Sequence, residues 1–514
     1  MRRVGIVVLA LLAALGIAAA VFWDRPALRA IRCEMGGDVP FGGRCLHPSS
    51  SQVSIRGGED LARLAELPLL DTLHIDAGAL GDGSQDFPVL PGLRIVFVEG
   101  GPASSDVDLG RLSGLAPVET LSLEGVSVPD PAPIAALSPE TLVLKSVRMP
   151  ALPVLPGLRG LQMRKTPVPD LSALAGSASL EWMTASGAPL PPLGPLTGAT
   201  SLRQLTLAGH EGRGLEDLST LSGLDGLRDL TLHGGGLSDL APLMGLDGLE
   251  SLRLGEVRDI DLSPLAALPA LSDLSFSNAA DLDLRALSAV PALERLSLSG
   301  SGAGDGLSSG TLTELSIHAT PSAPGALGAL PSLTHLRLNG VESVDLTALP
   351  DLPRLRSIEI ENADAVRLSG LRGVPGLQRL VLTYVRAPDL SALDGHPGLE
   401  TLIVRFWHPE RTPSLASLPA LTQLDLSGPV PEDLAALSGR PLVTLALDLR
   451  DGETIDAALP LDALRRLDIR DGLLTRDLVA RLPALEWAAG RGEDGKPVSL
   501  RDRAGIEAWL AEGG

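Results

Sequence analysis

Leucine recurs at a fixed beat along most of the chain, and one unit sets out the rule: Leu227, Leu230, Leu232, Leu237, Leu240, Leu243 and Leu246, with Leu249 starting again 22 residues on (249 − 227). The L-x-x-L-x-L stretch predicts a short strand with two leucines turned inward. The later spacing of three, at Leu240, Leu243 and Leu246, predicts a short helical return. First leucines fall at Leu202, Leu227, Leu249, Leu271, Leu293, Leu312, Leu333, Leu355, Leu377, Leu399, Leu421, Leu442 and Leu464, with spacings between 19 (312 − 293) and 25 (227 − 202). Looser copies begin at Leu70, Leu93, Val118, Leu158 and Leu180, a clipped one surrounds Leu142 and Leu144, and a fading one starts at Leu485. The pattern therefore predicts about twenty coils of a solenoid. No single coil can bury its own leucines, so stability must come from stacking, which leaves one long face of outward side chains free. At ~4.8 Å between paired strands, such a parallel sheet would run roughly 95 Å, far beyond a small-molecule pocket.

This pattern resembles the leucine-rich repeat family, specifically the short 22-residue class of internalin-type proteins, over roughly residues 51–489. The resemblance implies an α/β repeat solenoid with a parallel β-sheet on the concave face and short helices, 3-10 turns and loops on the convex face. One departure stands out. The family carries Asn at the ninth position, where its amide satisfies turn backbone groups; here that slot holds His210, Gly235, Ser301, Val341, Val385, Trp407 and Pro429. Backbone polar groups at the inner turn must be satisfied by another route, since burying them unpaired is costly.

The most regular polar site is the thirteenth position, which reads Asp170, Asp239, Asp261, Asp283, Asp345, Asp389 and Asp433, each followed by Leu. A ladder of carboxylates invites a calcium reading. Capping is the simpler expectation, because each Asp stands just before helix-like spacing, where its oxygen accepts from free N–H groups of the first turn. No metal and no cofactor is expected.

Both chain ends predict special structure. Arg2 and Arg3 precede an uncharged, mostly apolar run from Val4 to Trp23, long enough to cross a bilayer core and oriented to send the repeats outward. Residues 1–23 are thus a signal peptide, with Ala18 and Ala20 as an A-x-A-like cleavage site, or an uncleaved single-pass anchor with Trp23 at the interface. Cys33 and Cys45, the only cysteines, lie just beyond in a Gly-rich stretch without repeats, so residues 24–50 predict a disulfide-closed amino-terminal cap over the first coil. After the solenoid of 51–489, residues 490–514 predict a carboxy-terminal cap. It comprises a polar turn Gly492-Glu493-Asp494-Gly495, a capping box on Ser499 and Asp502, and a helix with Ile506, Trp509 and Leu510 on one side.

Composition narrows the function. The net charge is −21 and aromatics make up 2%, so neither a phosphate backbone nor stacked bases would find a suitable surface, and no nucleic-acid partner is expected. Lysine occurs only at Lys145, Lys165 and Lys496, beside abundant Arg, Ala, Gly and Pro, a bias consistent with a GC-rich bacterial genome. Catalytic candidates are weak. Glu359 and Glu361 share a strand face with Cα atoms ~6.6 Å apart, but Arg337 holds the equivalent place one coil earlier, which predicts a cross-strand ion pair rather than sugar cleavage. Asp468 between Arg466 and Arg470 is treated the same way. His318 and His335 fall at different positions of their coils, too far apart to share a metal. With both cysteines in the cap, a cysteine-dependent activity has no nucleophile, and no Ser-His-Asp order or phosphate loop stands out; Gly302-Ala303-Gly304 is expected in a turn.

One region of the exposed face differs from its Ser/Thr-rich surroundings. The coils at Leu377 and Leu399 place Arg379, Val381, Thr383 and Tyr384, the only tyrosine, beside Thr401, Ile403, Arg405 and Phe406. Tyr384 and Phe406 can stack between arginines, and aromatic and Arg residues are common interface anchors. The expected function is a non-catalytic, extracytoplasmic recognition scaffold. It is attached to a membrane by its amino-terminal segment, or secreted if that segment is cleaved, and it binds a protein or glycan through the concave face. The alternative is a regulator or inhibitor of a cell-envelope enzyme using the same face.

Overall fold

The computed structural model describes residues 33–34, 37–81, 86–101, 105–115, 117–167, 170–190, 192–209, 218–301, 306–318, 327–347, 349, 352–386, 389–406, 414–427, 434–449, 455 and 461–511. Residues 1–23 and His210, Trp407, Pro429 and Asp433 lie outside them. The chain forms two compact units, Met1–Leu237 and Ser238–Gly514.

In the first unit, the strands Gln52–Ile55, Thr72–Asp76, Ile95–Glu99, Thr120–Glu124, Thr141–Lys145, Gly160–Arg164, Trp182–Ser186, Gln204–Ala208 and Asp229–His233 pair in that order, each parallel to the next. In the second unit, a parallel ladder starts at Ser251–Gly255 and Asp273–Ala280. It continues through Ser357–Ala363, Arg379–Val385, Thr401–Arg405 and Gln423–Ser427 to Arg466–Leu473 and Trp487–Arg491.

The leucine beat explains each coil. Leu230 and Leu232 point inward from their strand and are fully buried, as are Leu227, Leu240, Leu243 and Leu246. The return runs as successive 3-10 turns: the N–H groups of Leu243, Leu246 and Leu249 donate to the carbonyls of Leu240, Leu243 and Leu246 at 3.0, 2.9 and 2.9 Å. A 3-10 helix has three residues per turn, so leucines three apart eclipse on one side. Neighbouring coils are stitched at the strand entry, where the Arg203 carbonyl accepts from the N–H groups of both Arg228 and Asp229 at 2.9 Å.

The inner turn answers the missing Asn. The eighth residue of many coils adopts a left-handed backbone, including Glu256 (φ 59), Asn278 (φ 56), Gly340 (φ 67), Asn362 (φ 56), Tyr384 (φ 54) and Phe406 (φ 71). That conformation aims its N–H along the ladder: Glu256 donates to the Ser277 carbonyl at 2.8 Å and Gly340 to Glu361 at 2.9 Å. With the backbone satisfied between coils, the ninth position is free to be apolar, and Val341 and Val385 are buried there. Thr166 keeps the polar alternative, its hydroxyl accepting from the Val147 N–H at 3.2 Å and donating to the Leu144 carbonyl at 3.1 Å.

At the thirteenth position, the carboxylates of Asp170, Asp239, Asp261, Asp283, Asp345 and Asp389 accept the backbone N–H two residues on, at 2.7, 2.7, 2.8, 3.1, 2.9 and 3.0 Å. Donation from the Ser172 N–H, then its hydroxyl, holds the Asp170 carboxyl below its ordinary value; Ser263 does the same for Asp261. At Asp345 the Thr347 hydroxyl leads, followed by its N–H and Arg367.

The first strand of the ladder in the first unit and the last strand of the ladder in the second each meet a further element. A disulfide joins Cys33 to Cys45, with Cα atoms 5.2 Å apart. The strands Val39–Phe41 and Arg44–Leu46 form an antiparallel hairpin with Phe41 buried, and the Arg44 guanidinium donates to the Ser54 carbonyl on the first strand of the ladder. At the other end, the expected capping box does not form. Ser499 lies in the strand Pro497–Leu500, opposite Ala489, because that segment folds back antiparallel on Trp487–Arg491 and satisfies its edge. Asp502 starts the final helix, Arg503–Ala511, by itself, accepting the Gly505 N–H at 2.7 Å, and Ile506 is buried beneath it.

Two outcomes follow from these contacts. Because the capping carboxyls of Asp170, Asp261 and Asp345 titrate below their ordinary 3.8, their contribution is complete above that value and is lost as pH falls through the folded-state values. The thermal midpoint should therefore be flat from neutral pH to about 5 and drop below about 4; a midpoint unchanged at lower pH would show that the caps do not hold the turns. Separately, reducing the Cys33–Cys45 bridge should cost roughly 3 kcal/mol in chemical denaturation.

Candidate functional site

Strand positions three, five and seven point to the open face of the sheet, so register alone builds rows across coils. In the second unit, position five runs Arg337, Glu359, Val381, Ile403, Asp425, each opposite the next. Position seven runs Asn339, Glu361, Thr383, Arg405.

The carboxylates in these rows are engaged. Arg337 lies 3.2 Å from Glu361 and 3.9 Å from Glu359, so its closer partner is diagonal rather than directly opposite. Arg379 approaches Glu359 at 3.5 Å, and the Asn339 amide donates to Glu361 at 2.9 Å. Paired in this way, Glu359 and Glu361 resemble structural ion pairs more than an acid and a nucleophile. His318 is opposite Asn339 while His335 is opposite Glu314, which keeps the two histidines in different rows. Burial first, then Arg337, lowers the His318 pKa against the pull of Glu361, favouring the neutral ring. Among the described residues, no group of three or more His, Cys, Asp or Glu side chains could hold a metal.

The aromatic cluster assembles with two differences from its expected layout. Tyr384 and Phe406 stack, ring centroids 4.3 Å apart and planes 6° from parallel, and they are 48% and 59% exposed. Both occupy the left-handed eighth position, so they sit where the strand turns away rather than on the flat of the sheet. Arg379 and Thr383, on the same strand as Tyr384, are half-buried. Val381 and Ile403, expected on the open face, are only 9% and 7% exposed. They share a row with Glu359 and Asp425, and at that burial they offer little surface for contact.

Arg405 has a role that the sequence did not reveal. Its guanidinium donates from Nε to Asp425 Oδ2 at 2.8 Å, and Arg470 reaches Asp425 Oδ1 at 2.5 Å. Asp425 is 2% exposed. Burial works against the Arg470 cation, yet its hydrogen bond to Asp425 and the charges of Asp425, Asp468 and Asp448 raise its pKa overall. Arg470 also approaches Asp468 at 3.6 Å, while Arg466 stacks over Trp487 at 4.1 Å instead of pairing with Asp468. A second pair that sequence reasoning missed lies in the first unit, where His74 and Phe97 stack at 4.6 Å on adjacent strands. Both fall at the fifth position of their coils, the signal that could have found them.

No family model matches the chain, and no curated protein matches it. Solved structures do. The mouse RP105/MD-1 complex contains a chain 17% identical, with a TM-score of 0.52, covering 85% of this chain and 81% of that one. The Toll–Spatzle complex of Drosophila gives 16% identity and a TM-score of 0.56, covering 76% and 62%. An internalin from Listeria monocytogenes is 19% identical over 75% and 89%, with a TM-score of 0.34. The likeness is one of fold, and this chain is a leucine-rich repeat solenoid.

Removing the charge of Asp425 with Asp425→Asn leaves Arg405 and Arg470 facing each other. Partial exposure of both arginines softens the loss to about 2 kcal/mol in urea unfolding. Arg405→Ala should cost less, because Arg470 still holds the carboxylate. An Asp425→Asn variant within ~0.5 kcal/mol of the parent would remove this cluster as a structural element.

Proposed function

We propose that this chain is a non-catalytic, extracytoplasmic recognition scaffold that binds a protein or glycan partner through the open face of its sheet and the edge at which the strands turn away. Tyr384 and Phe406 are the anchors, flanked by Arg379 and Thr383. Val381 and Ile403 contribute buried apolar surface on the same two strands, and Arg405 is held by Asp425.

The observation that carries this reading is the stacked, half-exposed pair Tyr384–Phe406 in a backbone conformation that bulky side chains disfavour. Other coils place Gly, Asn or a charged residue there, as at Gly340, Asn278, Asn362 and Glu256. Holding a bulky residue at positive φ costs of order 1 kcal/mol or more, and stacking returns about 0.5–1.5 kcal/mol. The pair thus adds little net stability, which favours a use outside the fold. Aromatic anchors near arginines are what protein interfaces concentrate. The Cys33–Cys45 bridge supports an oxidising, extracytoplasmic address. Membrane attachment through residues 1–23 rests on the sequence. Among the described residues no helix is long and apolar enough to cross a membrane.

A partner recovered by cross-linked pull-down from intact envelopes provides the assay. The double variant Tyr384→Asn, Phe406→Asn keeps residues that tolerate positive φ, so its unfolding free energy should stay within about 1 kcal/mol of the parent while affinity falls at least about tenfold. Unchanged affinity would rule out this surface.

A further inference from the structure

In the unit Met1–Leu237, the open face carries a cleft of about 770 Å³ lined by Gln52, Ser54, Arg56, His74, Asp76 and Glu99. Ser54, His74 and Phe97 sit opposite one another on three adjacent strands. The His74 and Phe97 rings lie 4.6 Å apart with planes 8° from parallel. Rings stacked along the strand-to-strand direction turn one face of His74 to Phe97 and the other toward Ser54. A serine side chain is too short to cover that second face. What remains is a slot about one strand spacing wide, ~4.8 Å, floored by Ser54 and walled by His74. A flat group placed there would continue the stack at the pitch that Phe97 already sets.

The rim selects by charge. Asp76 and Glu99 are opposite each other, and Glu99 is in turn opposite Glu124. Lys145 takes up Glu124 at 3.3 Å. Asp76 uses Oδ1 to accept the Gly78 N–H at 2.9 Å, which leaves its other oxygen available. Among the described residues neither Asp76 nor Glu99 has a cationic hydrogen-bond or ion-pair partner. Arg56 lines the same cleft, so the rim sets two carboxylates against one guanidinium.

We propose that this slot receives the guanidinium of an arginine side chain presented by a protein partner, flat against His74 and hydrogen-bonded to Asp76 and Glu99. A guanidinium is planar, weakly hydrated and forked, so it stacks on a ring face while its N–H groups meet carboxylates. A lysine ammonium is a compact, strongly hydrated point charge and gains nothing from the slot. A neutral planar amide fits the shape but leaves the carboxylates uncompensated.

The test uses the full chain and small probes followed by ligand-observed NMR: N-acetyl-arginine amide, its citrulline and lysine counterparts, and a neutral hexose. The arginine probe should bind at least tenfold more tightly than the other three. His74→Ala, Asp76→Asn and the slot-filling Ser54→Leu should each weaken it at least fivefold, with unfolding midpoints showing that each variant folds. Arg56→Gln removes the competing cation and should leave binding unchanged or tighter, and Tyr384→Asn should not affect it, which separates this site from the one proposed above. Equal binding of citrulline, preferential binding of the hexose, loss of arginine binding in Arg56→Gln, or indifference to Ser54→Leu would each overturn the proposal.

Discussion

Everything in this chain depends on one constraint: a single coil cannot cover its own leucines or pair its own strand edge. Leu205 and Leu207 are fully buried only because neighbouring coils lie against them. The same holds for the backbone, since carbonyls such as that of Arg203 find their donors one coil further on. Stability therefore accumulates through nearest-neighbour interfaces. An array built this way needs closure where neighbours run out. The disulfide-bridged hairpin, with Arg44 on the Ser54 carbonyl, provides it at one end, and the antiparallel strand Pro497–Leu500 with its helix provides it at the other.

The inner turn shows how the same requirement can be met by different chemistry. Where an Asn side chain would satisfy backbone groups within the turn, this chain lets the eighth residue go left-handed and donate its N–H to the next coil. The ninth residue is then released to pack as an aliphatic, as Val341 and Val385 do. Any side chain at the eighth position is carried outward. Most coils spend that position on Gly, Asn or a charged residue; two adjacent coils spend it on aromatics, at the price of strain.

On the open face, register converts sequence spacing into rows, and the rows settle which charges neutralise each other. Arg337, Arg379, Arg405 and Arg470 occupy carboxylates that might otherwise suggest catalysis or metal binding. Outside these ion pairs stand the two ring stacks, Tyr384–Phe406 in one unit and His74–Phe97 in the other, which are the surfaces proposed above for recognition.

The repeat period, the inward leucines, the short helical returns implied by leucines three apart, the Asp positions before each return and the pairing of the only two cysteines were all legible from the chain. Each rests on local spacing, which fixes the direction of a side chain within its own coil. Tertiary structure decided the rest: the diagonal reach of Arg337, the covering of Val381 and Ile403, the burial of Asp425 between two arginines, the stacking of His74 on Phe97, and the strand that displaced the Ser499 capping box. Those outcomes depend on side chains about one repeat or more apart meeting across coils. Local spacing says which way a side chain points, and only the assembled neighbours say what it meets there.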